Sequence, residues 1–217
     1  MQENIFTIIF SVKMKEEILK TALNQFVNHG IRDMSVQKLV SELAISTKTF
    51  YKHFESKEEL LEEVLRLHYE QQYKQLEKLV GEKNPVVLFY EIWQQATLNE
   101  YNVSNKFFSD LRYYYPALQL KIEREIGEKF WVRLKQIIDN GITQGVFRKD
   151  INPFVILESI SVLLDRIGRS DQFQKLNVPA DEIFENSIAV IIRGFCTPKG
   201  LEILDDHLSN SENSKKI

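Results

Sequence analysis

Between Ser35 and Phe54 two short apolar stripes of helical period flank a two-residue junction, and few folds can use such a pair. Val36, Leu39, Val40 and Leu43 give the first segment an inward face, with Ser35 as its N-cap. Ala44-Ile45 forms the turn, with Ile45 as its plug. Ser46 caps the second segment, Thr47 to His53, which Phe50 and Phe54, four residues apart, anchor from one side. An earlier helix over Lys15 to Asn28, with Ile18, Ala22 and Phe26 at helical spacing, is stopped at His29-Gly30. Two short helices across a tight turn, with a third packed on them, make a compact unit that can offer one helix to the major groove.

The rest of the chain reads as further helices with marked ends. Ser56 and Glu59 form an S-x-x-E capping box that opens a long helix from Lys57 to about Val80. Asn84-Pro85 and Asn152-Pro153 each pair a cap with a first-turn proline, starting helices to about Tyr101 and Gly168. Others run from Ser104 to Tyr114, from Pro116 to Gln144, and from Pro179 to near Cys196, with a short one after Pro198. Only 8 Gly and 5 Pro in 217 residues argue against a turn-rich β fold. The expected fold is all-α, with nine to ten helices and no strand: a three-helix head over 13–60 (helix-turn-helix 35–54), a larger helical domain over 61–208, and a flexible tail over 209–217.

Residues 1–12 are read as an extension. The run Ile5 to Phe10 is too short to span a bilayer and lacks the flanks of a signal peptide. It is either an added β-like arm or a stretch upstream of a true start at Met14, and the regular helix beginning there favours the second.

Charge divides unevenly. From Lys13 to Lys57 there are eight basic residues and five acidic ones, giving +3 within a chain of net charge −3. A basic head on an acidic body suits a polyanion, because phosphate neutralisation drives affinity. On the outer side of the second short helix stand Thr47, Lys48, Thr49, Tyr51, Lys52 and His53, rich in donors and positive charge. Enzyme classes find little support: there is no H-E-x-x-H, G-x-S-x-G or Gly-rich phosphate loop, and no Glu three residues before any His. The single cysteine, Cys196, is read as a buried helix-end residue in a reducing, cytoplasmic compartment, and no cofactor or metal is expected.

The stretch S-V-Q-K-L-V-S-E-L-A-I-S-T-K-T-F-Y-K-H-F-E-S-K-E-E-L, residues 35–60, resembles the DNA-binding head of the tetracycline-repressor (TetR) family. The helix E-E-I-L-K-T-A-L-N-Q-F-V-N-H-G before it is also similar, and G-x-F-R-x-D-x-N-P (Gly145 to Pro153) and R-G-F (Arg193 to Phe195) look like elements of the family's C-terminal half. The resemblance implies a transcriptional regulator, commonly a repressor, that binds a palindromic operator in double-stranded DNA. It places Ser46, Tyr51 and Lys57 on phosphates and Thr47, Lys48, Thr49 and Lys52 at base edges. His53 would either touch phosphate or pack at the hinge to the next helix. Two positions depart from the family pattern: Ala44 stands where glycine is usual in the turn, which points to a slightly altered turn, and Lys48 stands where a small residue is common.

The helices after Pro153 and Pro179 are apolar on more than one side, so they must be buried on two sides. One side can face a second copy, and Leu157, Ile160, Leu164, Phe184, Ile188, Ile191 and Phe195 are the candidate homodimer face, as the resemblance also implies. Aromatic residues gather between head and dimer face. Phe89, Trp93, Phe107, Phe108, Tyr113 and Trp131 are candidates to line a pocket for a small apolar or aromatic effector, although aromatics at helical spacing serve as plain core just as well. The competing reading is a helical adaptor that has lost DNA binding, which has no reason to keep Thr47, Lys48, Tyr51, Lys52 and Lys57 together.

Overall fold

The helix starts marked in the sequence are used as such. Ser35 Oγ accepts from Lys38 N at 3.2 Å, Ser46 Oγ from Thr49 N at 3.0 Å, and Asn84 Oδ1 from Val86 N at 3.0 Å. Ser104 Oγ accepts from Lys106 N and Asn152 Oδ1 from Phe154 N. Each cap satisfies a backbone donor that the first helical turn leaves without an internal partner. The Ser56 box closes with Ser56 Oγ accepting from Glu59 N at 3.1 Å, while the Glu59 carboxylate reaches back to Glu55 N at 2.5 Å.

The computed structural model describes residues 2–79, 83–169 and 171–214, and side chains at 9–79, 83–169, 172–173 and 175–211. Its helices are α1 (Gln2–His29), α2 (Val36–Glu42), α3 (Thr47–Phe50), α4 (Lys57–Leu79), α5 (Pro85–Tyr101) and α6 (Asn105–Tyr114). They continue with α7 (Pro116–Thr143), α8 (Pro153–Arg169), α9 (Asp171–Lys175), α10 (Ala180–Glu185), α11 (Ile188–Phe195) and α12 (Pro198–Ser214). Among the described residues the only strand-like pairing is one antiparallel bridge, Phe147 with Cys196. No described helix is long and apolar enough to cross a membrane.

The chain divides into two compact units, and the division falls inside α4 and α7 rather than near residue 60. The first unit is Met1–Gln72 with Val103–Ile126; the second is Tyr73–Asn102 with Gly127–Ile217. The head therefore shares its unit with α6 and the first part of α7. In the first unit Ile18, Ala22 and Phe26 of α1 are buried at a spacing of four, together with Leu39, Phe50, Phe54 and Leu61.

Three expectations change. A β-like arm does not describe the N-terminal extension, because α1 runs without a break from Gln2; Ile9, Phe10 and Val12 on it are exposed. The helix expected from Pro179 to Cys196 is broken at Asn186-Ser187. There the Ser187 hydroxyl donates to the Ile183 carbonyl at 2.5 Å and Asn186 Nδ2 to the Glu182 carbonyl at 2.8 Å, offering those carbonyls partners other than the next helical N–H. The segment after Pro198 is a full helix to Ser214, because Leu204 is buried and Leu201 and Leu208 pack on the second unit's core. The expected flexible tail is thus helical over 209–214, and 215–217 lie outside the described residues.

The second unit is knitted by aromatic edges. Phe89 meets Phe147, Phe195 and Trp93 at ring-centroid distances of 5.9, 5.7 and 6.0 Å. Such edge-to-face pairs add to the burial of large rings. Phe147 reaches its place because residue 141 has no side chain: a Cβ on Gly141 would lie 2.1 Å from Phe147 Cδ2. Gly141→Ala therefore forces this ring cluster apart and costs about 2 kcal/mol. A thermal melt should show a fall of roughly 4–8 °C, and an unchanged midpoint would refute the assignment.

Candidate nucleic-acid interface

Phe50 and Phe54 are fully buried, their rings 5.6 Å apart, and they pin α3 and the turn after it from behind. The helix proper covers only Thr47–Phe50, shorter than the sequence suggested. Beyond it the chain tightens: Lys52 N donates to Thr49 O and His53 N to Phe50 O, three residues back, before Phe54 N returns to Phe50 O. With the inner side fixed, Thr47, Lys48, Tyr51 and Lys52 face water, while Thr49 and His53 are half-buried. Tyr51 stands edge-on to Phe50 at 5.2 Å, so its ring is held while its hydroxyl end remains open.

Ser46 does more than cap. Its Oγ lies 2.9 Å from Thr49 Oγ1 as well as accepting from Thr49 N. One hydroxyl hydrogen is used between the two side chains, which leaves the other for an outside acceptor. His53 has its pKa lowered by burial and then by the positive charges of Lys15 and Lys52. It can therefore meet a phosphate as a neutral N–H donor in a locally positive field. Lys15 itself bonds Glu63 at 2.8 Å and lies over the Phe54 ring at 5.3 Å, tying α1 to α4 behind the exposed surface.

Lys57 stands apart from the other cations. Its half-buried Nζ donates to the Ile31 carbonyl at 2.6 Å and lies 6.0 Å from the Phe26 ring. Burial pushes its pKa down, against the opposing pull of Asp110 and Asp33. The ammonium bolts the start of α4 to the loop before α2 and keeps two further N–H groups. In the turn between α2 and α3 the backbone does not adjust to the missing glycine: Ala44 has φ +51°, the left-handed region. The altered turn expected from the sequence is not found.

The candidate pocket residues are divided between the two units. Phe89 and Trp93 are buried in the second unit's core, and Phe107 and Phe108 are buried in the first unit. Tyr113 is 78% exposed. Trp131 borders an open cleft of about 770 Å³ with Phe154, Val155, Glu158, Ser159 and Val162. Of the candidate dimer residues, Leu157, Ile160, Phe184, Ile188 and Phe195 are sealed inside their own unit, while Leu164 and Ile191 are half-buried. The apolar side chains of α8 and α11 that meet water are instead Phe154, Val155, Val162 and Val190, each 58–60% exposed. A helix apolar nearly all round does not disclose from sequence which side its own core takes.

The family model of bacterial regulatory proteins of the tetR family matches residues 18–64, the segment that holds this surface. Over this segment the chain is similar to the TetR family. It is 26% identical over 205 residues to the HTH-type transcriptional repressor KstR2 of Mycolicibacterium smegmatis, covering 86% of this chain and 92% of that one. Its fold is similar to the ketosteroid transcriptional regulator KstR2 of Mycobacterium tuberculosis, with TM-score 0.61, 19% identity and coverage of 85% and 95%. It is also similar to a transcriptional regulator from Saccharomonospora viridis in complex with choline, with TM-score 0.72, 21% identity and coverage of 86% and 99%. The match over the head and the similarity over most of the chain support a DNA-binding transcriptional regulator.

The left-handed Ala44 carries a steric cost that glycine would not, on the order of 1 kcal/mol after glycine's greater unfolded-state entropy is set against it. Ala44→Gly should raise the melting midpoint by roughly 2–4 °C with the head's structure unchanged. A lower midpoint would show that the turn is not strained.

Proposed function

We propose that this regulator acts as a homodimeric repressor, with two heads on a near-palindromic operator and release on binding a small apolar effector. The observation that carries the DNA side of this reading is the exposed set Thr47, Lys48, Tyr51 and Lys52 on a helix immobilised by Phe50 and Phe54. Thr47, Lys48, Thr49 and Lys52 are assigned to base edges. Ser46, Tyr51 and His53 are assigned to phosphates, with Lys57 as a secondary phosphate donor through the N–H groups that Ile31 does not use. A lysine can donate to guanine O6 and N7, which makes Lys48 the residue that sets one base of the half-site.

The dimer is assigned to the outer sides of α8 and α11, which pack on each other within the unit and leave Val155, Val162 and Val190 open to water. Ser159 and Gly194, both exposed, allow close approach there. Pairing these helices across a two-fold axis would set two heads on successive major grooves, about 34–36 Å apart. An apolar effector is supported by the aromatic content of the helices around α5 and by the similarity in fold to the mycobacterial ketosteroid transcriptional regulator KstR2. An effector acts by favouring the conformation that binds DNA less well.

Selection of a random duplex library against the full-length chain tests the reading, and enrichment of an inverted repeat is the expected result. On that duplex Lys48→Ala should relax preference at one position per half-site by roughly ten- to hundredfold, the worth of a good base contact. Equal weakening on all sequences would move Lys48 to a phosphate. Val162→Asp should convert a dimer to a monomer in light scattering and weaken full-operator binding by about a hundredfold or more through loss of the second head. A dimer that survives this change places the interface elsewhere.

A further inference from the structure

Carboxylates are almost never fully buried unless something holds them. Asp110, on α6, is 7% exposed. Its Oδ2 accepts a hydrogen bond from the backbone N–H of Arg32 at 2.8 Å, across 78 residues of sequence. A main chain can come that close because residue 30 is glycine with φ +88°; a Cβ there would lie 2.9 Å from the same oxygen and 2.8 Å from Lys106 Cγ.

The loop around Arg32 is held on α6 by further contacts. Ser104 N donates to the Val27 carbonyl at 2.8 Å, and the Lys106 ammonium pairs with Asp33. The Arg32 guanidinium donates to Tyr114 Oη at 2.7 Å and lies over that ring at 5.2 Å. Most of these are exposed pairs of modest worth. Asp110 differs in being buried, and in acting at once on the loop backbone and, through its charge, on the Lys57 ammonium that holds the Ile31 carbonyl. This loop leads directly to Ser35, the cap of α2, and Lys57 opens α4.

We propose that Asp110 is a positioning residue for DNA binding. It touches no nucleic acid; it fixes the Arg32 amide and thereby holds the 30–34 loop and Lys57 where the starts of α2 and α4 can face the duplex. Without it the head samples other placements, and affinity falls by the fraction of time spent in them. The contacts made once bound stay the same, so the number of phosphates neutralised does not change.

The inference rests on the head as the DNA-binding surface, which wild-type binding to the selected duplex tests separately. The experiment compares full-length wild type with Asp110→Asn, which keeps an acceptor of the same shape and removes the charge. Binding is measured by fluorescence anisotropy over a series of KCl concentrations, well below each melting midpoint, with amide exchange at Arg32. Asp110→Asn is expected to raise Kd about tenfold, leave the slope of log Kd against log salt unchanged and speed exchange of the Arg32 amide. Gly30→Ala, which crowds the same oxygen from the loop side, should raise Kd similarly, and the double variant should fall short of the product of the two. Ile122→Val, a mild cavity in the same unit, serves as the control for stability alone and should leave Kd unchanged. The proposal is overturned if folded Asp110→Asn binds within twofold of wild type, or if Ile122→Val raises Kd as much as it does.

Discussion

The outer surface of α3 depends on two phenyl rings buried behind it. Phe50 and Phe54 sit one helical turn apart and are wholly buried, so the segment between them has one rotational setting. Thr47, Lys48, Tyr51 and Lys52 are outside because those rings are inside. Regular helix geometry contributes little by itself, since α3 is four residues long and an isolated helix of that length has no stability. What holds it is the Ser46 cap at one end, the tightened turn at the other and the aromatic anchor between them. A helix this short can be placed accurately only by its side-chain packing.

Around that anchor the cations divide by how far they are from water. Lys48 and Lys52 are exposed, with their charges open to water. Lys15 and Lys57 are committed to the protein, one to Glu63 and the Phe54 face, the other to the Ile31 carbonyl. The same residue type thus builds the platform and faces water. Composition alone counts all of these as one basic block, yet its members differ in how much of their hydrogen-bonding capacity the protein already uses.

What was legible in the sequence was what neighbours in the chain decide. Caps at Ser35, Ser46, Ser56, Asn84 and Asn152 bond groups two or three residues away, and each is found where the pattern put it. The head was legible for the same reason, being local pieces in a fixed order. The turn at Ala44 marks a limit of that logic: the missing glycine argued for a different turn, but the packing of α2 against α3 keeps the left-handed backbone and absorbs the strain. The break at Asn186-Ser187 also escaped, because two polar residues inside an apolar run read as ordinary helix surface until their side chains are seen bonding to carbonyls four back.

The larger unit was less legible because its signals are long-range. Leu157, Ile160, Phe184, Ile188 and Phe195 are the residues a hydrophobic pattern singles out, and the protomer's own core claims all of them. Strong apolarity marks what a chain buries first, within itself. The apolar surface left open on α8 and α11 is the weaker second stripe, here valines interspersed with Ser159, Glu158 and Gly194. Such a stripe of scattered apolar side chains is tolerable in water. Asp110 presents the same difficulty in polar form: one acid in a helix of mixed residues, significant only because folding brings a glycine-led loop against it. In both cases the informative property is what a residue meets across the fold, and a sequence pattern records only what it is and what stands beside it.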